Sequence, residues 1–249
     1  MPHDYKIYPV KFDKSKLGEI DMGEILPSIP HLILCTGHVK SGKSQLYNSL
    51  YMSNEFYKNK FDVKILLSPT ASADAINEHL IKEFDYFFED VNEELIKHLL
   101  DMIENDESDN NYLMVFDDII GTLPQKRNGK PDLVSGLATK YRHVKNKNGK
   151  EGRLSIFIAT QHYKSLTKLL RANSSAYLIM GHLGEEDVKS MGKELSYFGG
   201  SIKEFLNIYK RSRKQQKDFL FLNVNKLSAY RNFEELLFCE KDLFKNEEK

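Results

Sequence analysis

Five short apolar runs recur along the chain, each closed by a polar or glycine-rich turn: His31–Thr36, Val63–Ser68, Tyr112–Asp117, Leu154–Thr160 and Ala176–Gly181. Runs of this length and closure predict strands buried on both faces, as in a parallel sheet. Between them the apolar positions change to three-four spacing. That spacing predicts helices over 44–55, Ala73–Phe84, Asn92–Glu104, 132–142, 164–171 and 185–196; in Asn92–Glu104, Leu95, Leu99, Met102 and Ile103 share one face. Strands alternating with helices imply βαβ units. The expected fold class is α/β, a mostly parallel central sheet flanked by helices.

After residue 200 the pattern shifts. Ile202–Lys210 reads as a helix and Phe219–Val224 as a further strand. The tail carrying Tyr230, Phe233, Leu236, Leu237 and Phe238 is expected to pack back on the core. Three regions follow: an arm or extra strand over 1–30, punctuated by Pro9, Pro27 and Pro30; a core over 31–200; and a helix-strand extension over 201–249. Asp106–Asn111, Gln125–Pro131 and Lys145–Gly152 are polar and read as loops.

Composition narrows the classes. The 249 residues are 41% hydrophobic and 29% charged, which suits a globular domain and excludes a disordered tail or a collagen-like chain. Two cysteines, Cys35 and Cys239, exclude a disulfide scaffold and a four-cysteine zinc site, and suggest a reducing compartment. Met1–Lys6 lacks the apolar stretch of a signal peptide, and no run approaches the ~20 apolar residues of a membrane span. The expectation is a soluble intracellular protein, or one packed in a particle made there, with no membrane partner.

Gly37-His38-Val39-Lys40-Ser41-Gly42-Lys43-Ser44 matches G-x-x-x-x-G-K-[ST], directly after a strand and before a helix. The glycines let backbone N–H groups face phosphate oxygens, and the helix start adds its positive dipole end. Lys43 supplies charge to the terminal phosphates, and the Ser44 hydroxyl is a Mg²⁺ ligand. Gln45 follows within the same cradle. Lys40 is either a second cation near the γ-phosphate or a solvent-facing residue. Next, Tyr112–Asp117 ends in two carboxylates. Asp117 is expected to hold the hydration shell of Mg²⁺ at the strand's C-terminal end. Asp118 is expected to orient and deprotonate the attacking water. A third strand ends in Thr160-Gln161, placing the Gln161 amide where it contacts the γ-phosphate or the water. Arg142 and Arg171 are candidate arginine fingers, reaching the nucleotide of a neighbouring subunit. His143 reads as structural.

Together, Gly37–Ser44, Asp117-Asp118, Arg142-His143, Ala159-Thr160-Gln161 and Arg171-Ala172-Asn173 resemble the genome-packaging ATPases of large eukaryotic DNA viruses and their virophages. These are the poxvirus-type branch of the FtsK/HerA superfamily of P-loop ATPases. The resemblance implies that the Gln161 strand lies between the Walker A and Asp117 strands. It implies ATP and Mg²⁺ as cofactors, a homo-oligomeric ring, and hydrolysis coupled to pushing double-stranded DNA into a preformed capsid. Capsid proteins would be partners, and the place of action the virion or a cytoplasmic assembly site in the host cell. His38-Val39-Lys40 departs from the small residues common in this loop. No nuclease domain follows, so the chain is not expected to cut DNA.

The formal charge is zero, with 36 Lys+Arg and 36 Asp+Glu, but it is partitioned. From Asp74 to Asn111 there are 13 acids against Lys82 and Lys97. From Thr122 to Arg153 nine bases face Asp132 and Glu151, and from Ser201 to Lys217 six face Glu204. The Lys126–Lys130 and Lys145–Arg153 loops are therefore candidates to line a DNA channel through phosphate contacts. The acidic block is expected to face outward or to meet a neighbour. Two other classes share the phosphate loop: a nucleotide or small-molecule kinase, and a non-catalytic nucleotide switch that binds capsid protein.

Overall fold

The computed structural model describes residues 19–71, 79, 81–119, 126–127 and 130–241. Six strands run parallel: β1 (Leu32–Thr36), β2 (Val63–Leu67), β3 (Tyr86–Phe88), β4 (Tyr112–Asp117), β7 (Leu154–Thr160) and β8 (Ala176–Met180). Three more, β9 (Phe219–Asn223), β10 (Ser228–Arg231) and β11 (Glu235–Cys239), extend the same sheet antiparallel from β8. The order is β11-β10-β9-β8-β1-β7-β4-β2-β3. The strand ending at Thr160 thus lies between β1 and β4, as the resemblance implied. The short segments β5 (Lys126–Arg127) and β6 (Lys130–Pro131) pair antiparallel in the region read as a loop. The helix expected over Ala73–Phe84 lies mostly outside the described residues, as do the first 18 residues and the last eight.

Every residue of β1, β4, β7 and β8 is buried, so successive side chains feed two cores. Leu34, Met114, Phe116, Ile158 and Ile179 face one side. Packed there are α2 (Glu93–Glu104), α3 (Leu133–Lys140), α4 (Lys168–Asn173), α5 (Glu185–Glu194) and α6 (Ile202–Arg211). Cys35, Val115, Phe157 and Ala159 face the other, against α1 (Lys43–Met52) through Tyr47, Leu50 and Tyr51. The helix expected over 164–171 divides into a single turn at Tyr163–Ser165 and α4, whose Thr167 hydroxyl caps the new start by accepting from Leu170 N. The tail read as packing back on the core supplies β10 and β11, and its Phe233, Leu237 and Phe238 are buried in the two cores. No described helix is long and apolar enough to cross a membrane.

The topology places one acidic and one basic loop together. Because β4 and β7 are parallel neighbours, the loops that precede them emerge side by side at their N-terminal ends. Those loops are the acidic Asp106–Asn111 and the basic Lys145–Arg153. Lys150 pairs with Asp109 at 2.7 Å, and Lys147 with Glu107. Arg153, nearly buried, contacts the Asp109 carboxylate at 3.3 Å and donates to its carbonyl at 2.6 Å. Lys145 pairs with Glu151 at 2.9 Å within its own loop. The Asn146 amide donates to Ser108 O at 2.6 Å. The basic loop therefore meets acids of its own chain, at the end of the sheet opposite the phosphate loop.

Candidate nucleotide-binding site

The site lies at the C-terminal ends of β1, β7 and β4. Register brings its parts level: Thr36 stands opposite Thr160, and Asp117 opposite Ala159. The phosphate loop leaves β1 with Gly37 N donating to Thr160 O at 3.1 Å. A Cβ on Gly37 would lie 2.6 Å from Ser41 Oγ and 2.8 Å from Met180 Cβ, so only glycine fits. The loop turns with Ser41 N donating to His38 O at 3.1 Å. That turn puts Lys40 at φ 62, left-handed backbone that glycine adopts without strain. This is the physical meaning of the His38-Val39-Lys40 departure. Gly42, at φ 95, caps α1.

His38, Val39, Lys40 and Gln45 are exposed, whereas Lys43 is buried. The Lys43 ammonium donates to Gly37 O at 2.7 Å and His38 O at 3.0 Å, which holds its charge inside the loop. Ser41 Oγ is buried without a hydrogen-bond partner. An orphaned hydroxyl among backbone N–H groups at a helix start fits an anionic oxygen.

Ser44 Oγ donates to Asp117 Oδ2 at 3.3 Å. An adjacent hydroxyl and carboxylate are the oxygen donors a hard cation such as Mg²⁺ takes. Burial pushes the Asp117 carboxyl above the usual carboxylate range, while hydrogen bonding from Tyr47 and the Lys43 charge oppose the shift. Asp118 takes a left-handed φ of 57, with its N–H donating to Ala159 O at 3.0 Å. Its Oδ2 accepts from Gln161 Nε2 at 2.6 Å. Lys43, Ser44, Asp117, Asp118 and Gln161 are thus brought to one end of three adjacent strands.

No protein-family model matches the chain, and no curated protein sequence does. Solved structures do. The DNA-packaging ATPase B204 from Sulfolobus Turreted Icosahedral Virus aligns with a TM-score of 0.59 at 13% identity, over 82% of this chain and 97% of that one. The genome-packaging NTPase B204 from Sulfolobus turreted icosahedral virus 2, in complex with ATP-gammaS, gives 0.54 at 12% identity, over 81% and 96%. The chain has the fold of the B204 packaging NTPases. The alignments span nearly all of each B204 chain.

Other expected residues lie apart from this cluster. Arg142 is exposed and donates from Nε to Tyr141 Oη at 2.8 Å. It lines a cavity of about 250 Å³ with Pro30, His143 and Gly152, at the opposite end of the strands. His143 is exposed and 3.4 Å from Glu151. The Arg171 side chain, 15% exposed, donates to Glu194 at 2.7 and 2.9 Å and lies over the Tyr163 ring. Tyr47, which sequence reasoning passed over, reaches the Asp117 carboxylate at 3.1 Å. Its signal was an aromatic three residues after Ser44, on the same face of α1.

Proposed function

We propose that this chain is an ATP-hydrolysing motor that translocates double-stranded DNA into a preformed capsid as part of a homo-oligomeric ring. The observation that carries the reading is the meeting of a phosphate loop, Asp117-Asp118 and Gln161 within the B204 fold. The two solved relatives are a DNA-packaging ATPase and an NTPase in complex with ATP-gammaS, which supports nucleotide and DNA as ligands.

The loop's N–H groups and Lys43 would bind the phosphates. Ser44 and Asp117 are the pair that would hold Mg²⁺, which when bound neutralises charge developing on the phosphoryl group. Asp118 accepts the proton of the attacking water. Gln161 orients that carboxylate and contacts the γ-phosphate. Arg142 or Arg171 acts from a neighbouring subunit.

Phosphate release with and without long double-stranded DNA tests this. Stimulation by DNA that falls with salt is expected. Phosphate transfer to a small acceptor would identify a kinase instead, and nucleotide binding without turnover an assembly switch.

A further inference from the structure

The Tyr47 phenol has no part in the chemistry above, yet it contacts the carboxylate on which metal binding depends. Tyr47 lies one helical turn beyond Ser44, so both hydroxyls sit on one face of α1. Both donate to the same oxygen, Asp117 Oδ2: Tyr47 Oη at 3.1 Å and Ser44 Oγ at 3.3 Å. The Tyr47 side chain is 1% exposed, with edge contacts to Phe84 and Phe157. Close packing of this kind fixes the ring, and with it the position of the hydroxyl.

Asp117 is fixed at its backbone by pairing with β7, but a carboxylate at a strand end still turns about its last torsion. Two donors on Oδ2 settle which oxygen faces α1. Ser44 does not secure this alone: its contact is the longer, and its hydroxyl is itself a metal ligand in the proposed site.

We infer that Tyr47 is a positioning residue for the metal, pinning Asp117 Oδ2 against α1 so that the other carboxylate oxygen is left for the hydration shell of Mg²⁺. This rests on the assignment of Ser44 and Asp117 as the metal pair. Partners that orient a ligand from behind typically change metal affinity ~10- to 100-fold when removed. A purely packing role makes a different prediction, because Phe keeps the ring and its contacts.

The test uses Tyr47→Phe in the full chain, with Tyr57→Phe and Asp117→Asn as comparisons. Tyr57 is another buried phenol, donating to Pro27 O at 2.7 Å. Mn²⁺ binding is followed by electron paramagnetic resonance with a non-hydrolysable ATP analogue. Binding of the same analogue in EDTA and thermal unfolding report on the fold of each variant. Tyr47→Phe is expected to weaken Mn²⁺ binding ~10-fold or more, with analogue binding in EDTA retained and Tyr57→Phe matching the wild type. Wild-type Mn²⁺ affinity in Tyr47→Phe overturns the inference, including where unfolding shifts as much as in Tyr57→Phe. Wild-type Mn²⁺ affinity in Asp117→Asn overturns the metal-pair assignment itself.

Discussion

Gln161 Nε2 donates to Asp118 Oδ2 at 2.6 Å across 43 residues of sequence. The amide from the end of β7 and the second carboxylate after β4 therefore act as one unit. Asp118→Asn is expected to reduce steady-state phosphate release at saturating ATP by ~10²- to 10⁴-fold while leaving ATP binding intact. Gln161→Ala removes one hydrogen bond to a charged group, and a loss of about 10- to 100-fold is expected. Wild-type turnover in Asp118→Asn would sink the assignment of the water-activating group.

The two arginines should separate by the quantity they change. Arg171 is tied within its own chain by Glu194, Tyr163 and the Leu166 carbonyl. Arg171→Ala is expected to lower unfolding free energy by about 1–3 kcal/mol, measured with urea. Arg142 is exposed, and its replacement by Ala should leave stability within about 0.5 kcal/mol. A finger acting between subunits predicts that Arg142→Ala depresses turnover only in the assembled state, by ~10³-fold or more. Turnover measured across a protein dilution series checks this.

Acid should weaken the fold through His31. Burial lowers its pKa from 6.5 to about 3, and the ring sits among Tyr51, Tyr57 and Phe61. The unfolded chain takes up the proton near the ordinary value. Between these limits the unfolded state binds more protons, so stability falls as pH drops through the window. One proton gives a slope of up to ~1.4 kcal/mol per pH unit. Urea unfolding across this range should show a shallower slope in His31→Gln; an unchanged slope would assign the effect to other groups.

Strands buried on both faces were readable as apolar runs, and β1, β4 and β7 match them to within one residue. The phosphate loop was readable because its spacing is imposed by backbone geometry. The β3 strand was not, since Tyr86–Phe88 is too short to set up a period among surrounding acids. The β10–β11 hairpin was hidden because its turn uses Asn232 and Phe233 at positive φ without a glycine. The role of Tyr47 was not readable, because only the fold brings its hydroxyl to Asp117 at the end of β4. The pairing of the Asp106–Asn111 and Lys145–Arg153 loops was not readable, because it depends on which loops become neighbours, and strand order decides that.

The pairing of the Asp106–Asn111 and Lys145–Arg153 loops bears on how a polyanion would be sensed. A cation already matched by a carboxylate of its own chain neutralises a DNA phosphate less fully, and so displaces fewer of the counterions condensed on the DNA. In the proposed motor, Lys145, Lys147, Lys150 and Arg153 would therefore contribute little to ion release on DNA binding. The logarithmic salt dependence, about 0.9 per neutralised phosphate, would then count bases elsewhere, such as the exposed Lys203, Lys210 and Lys217.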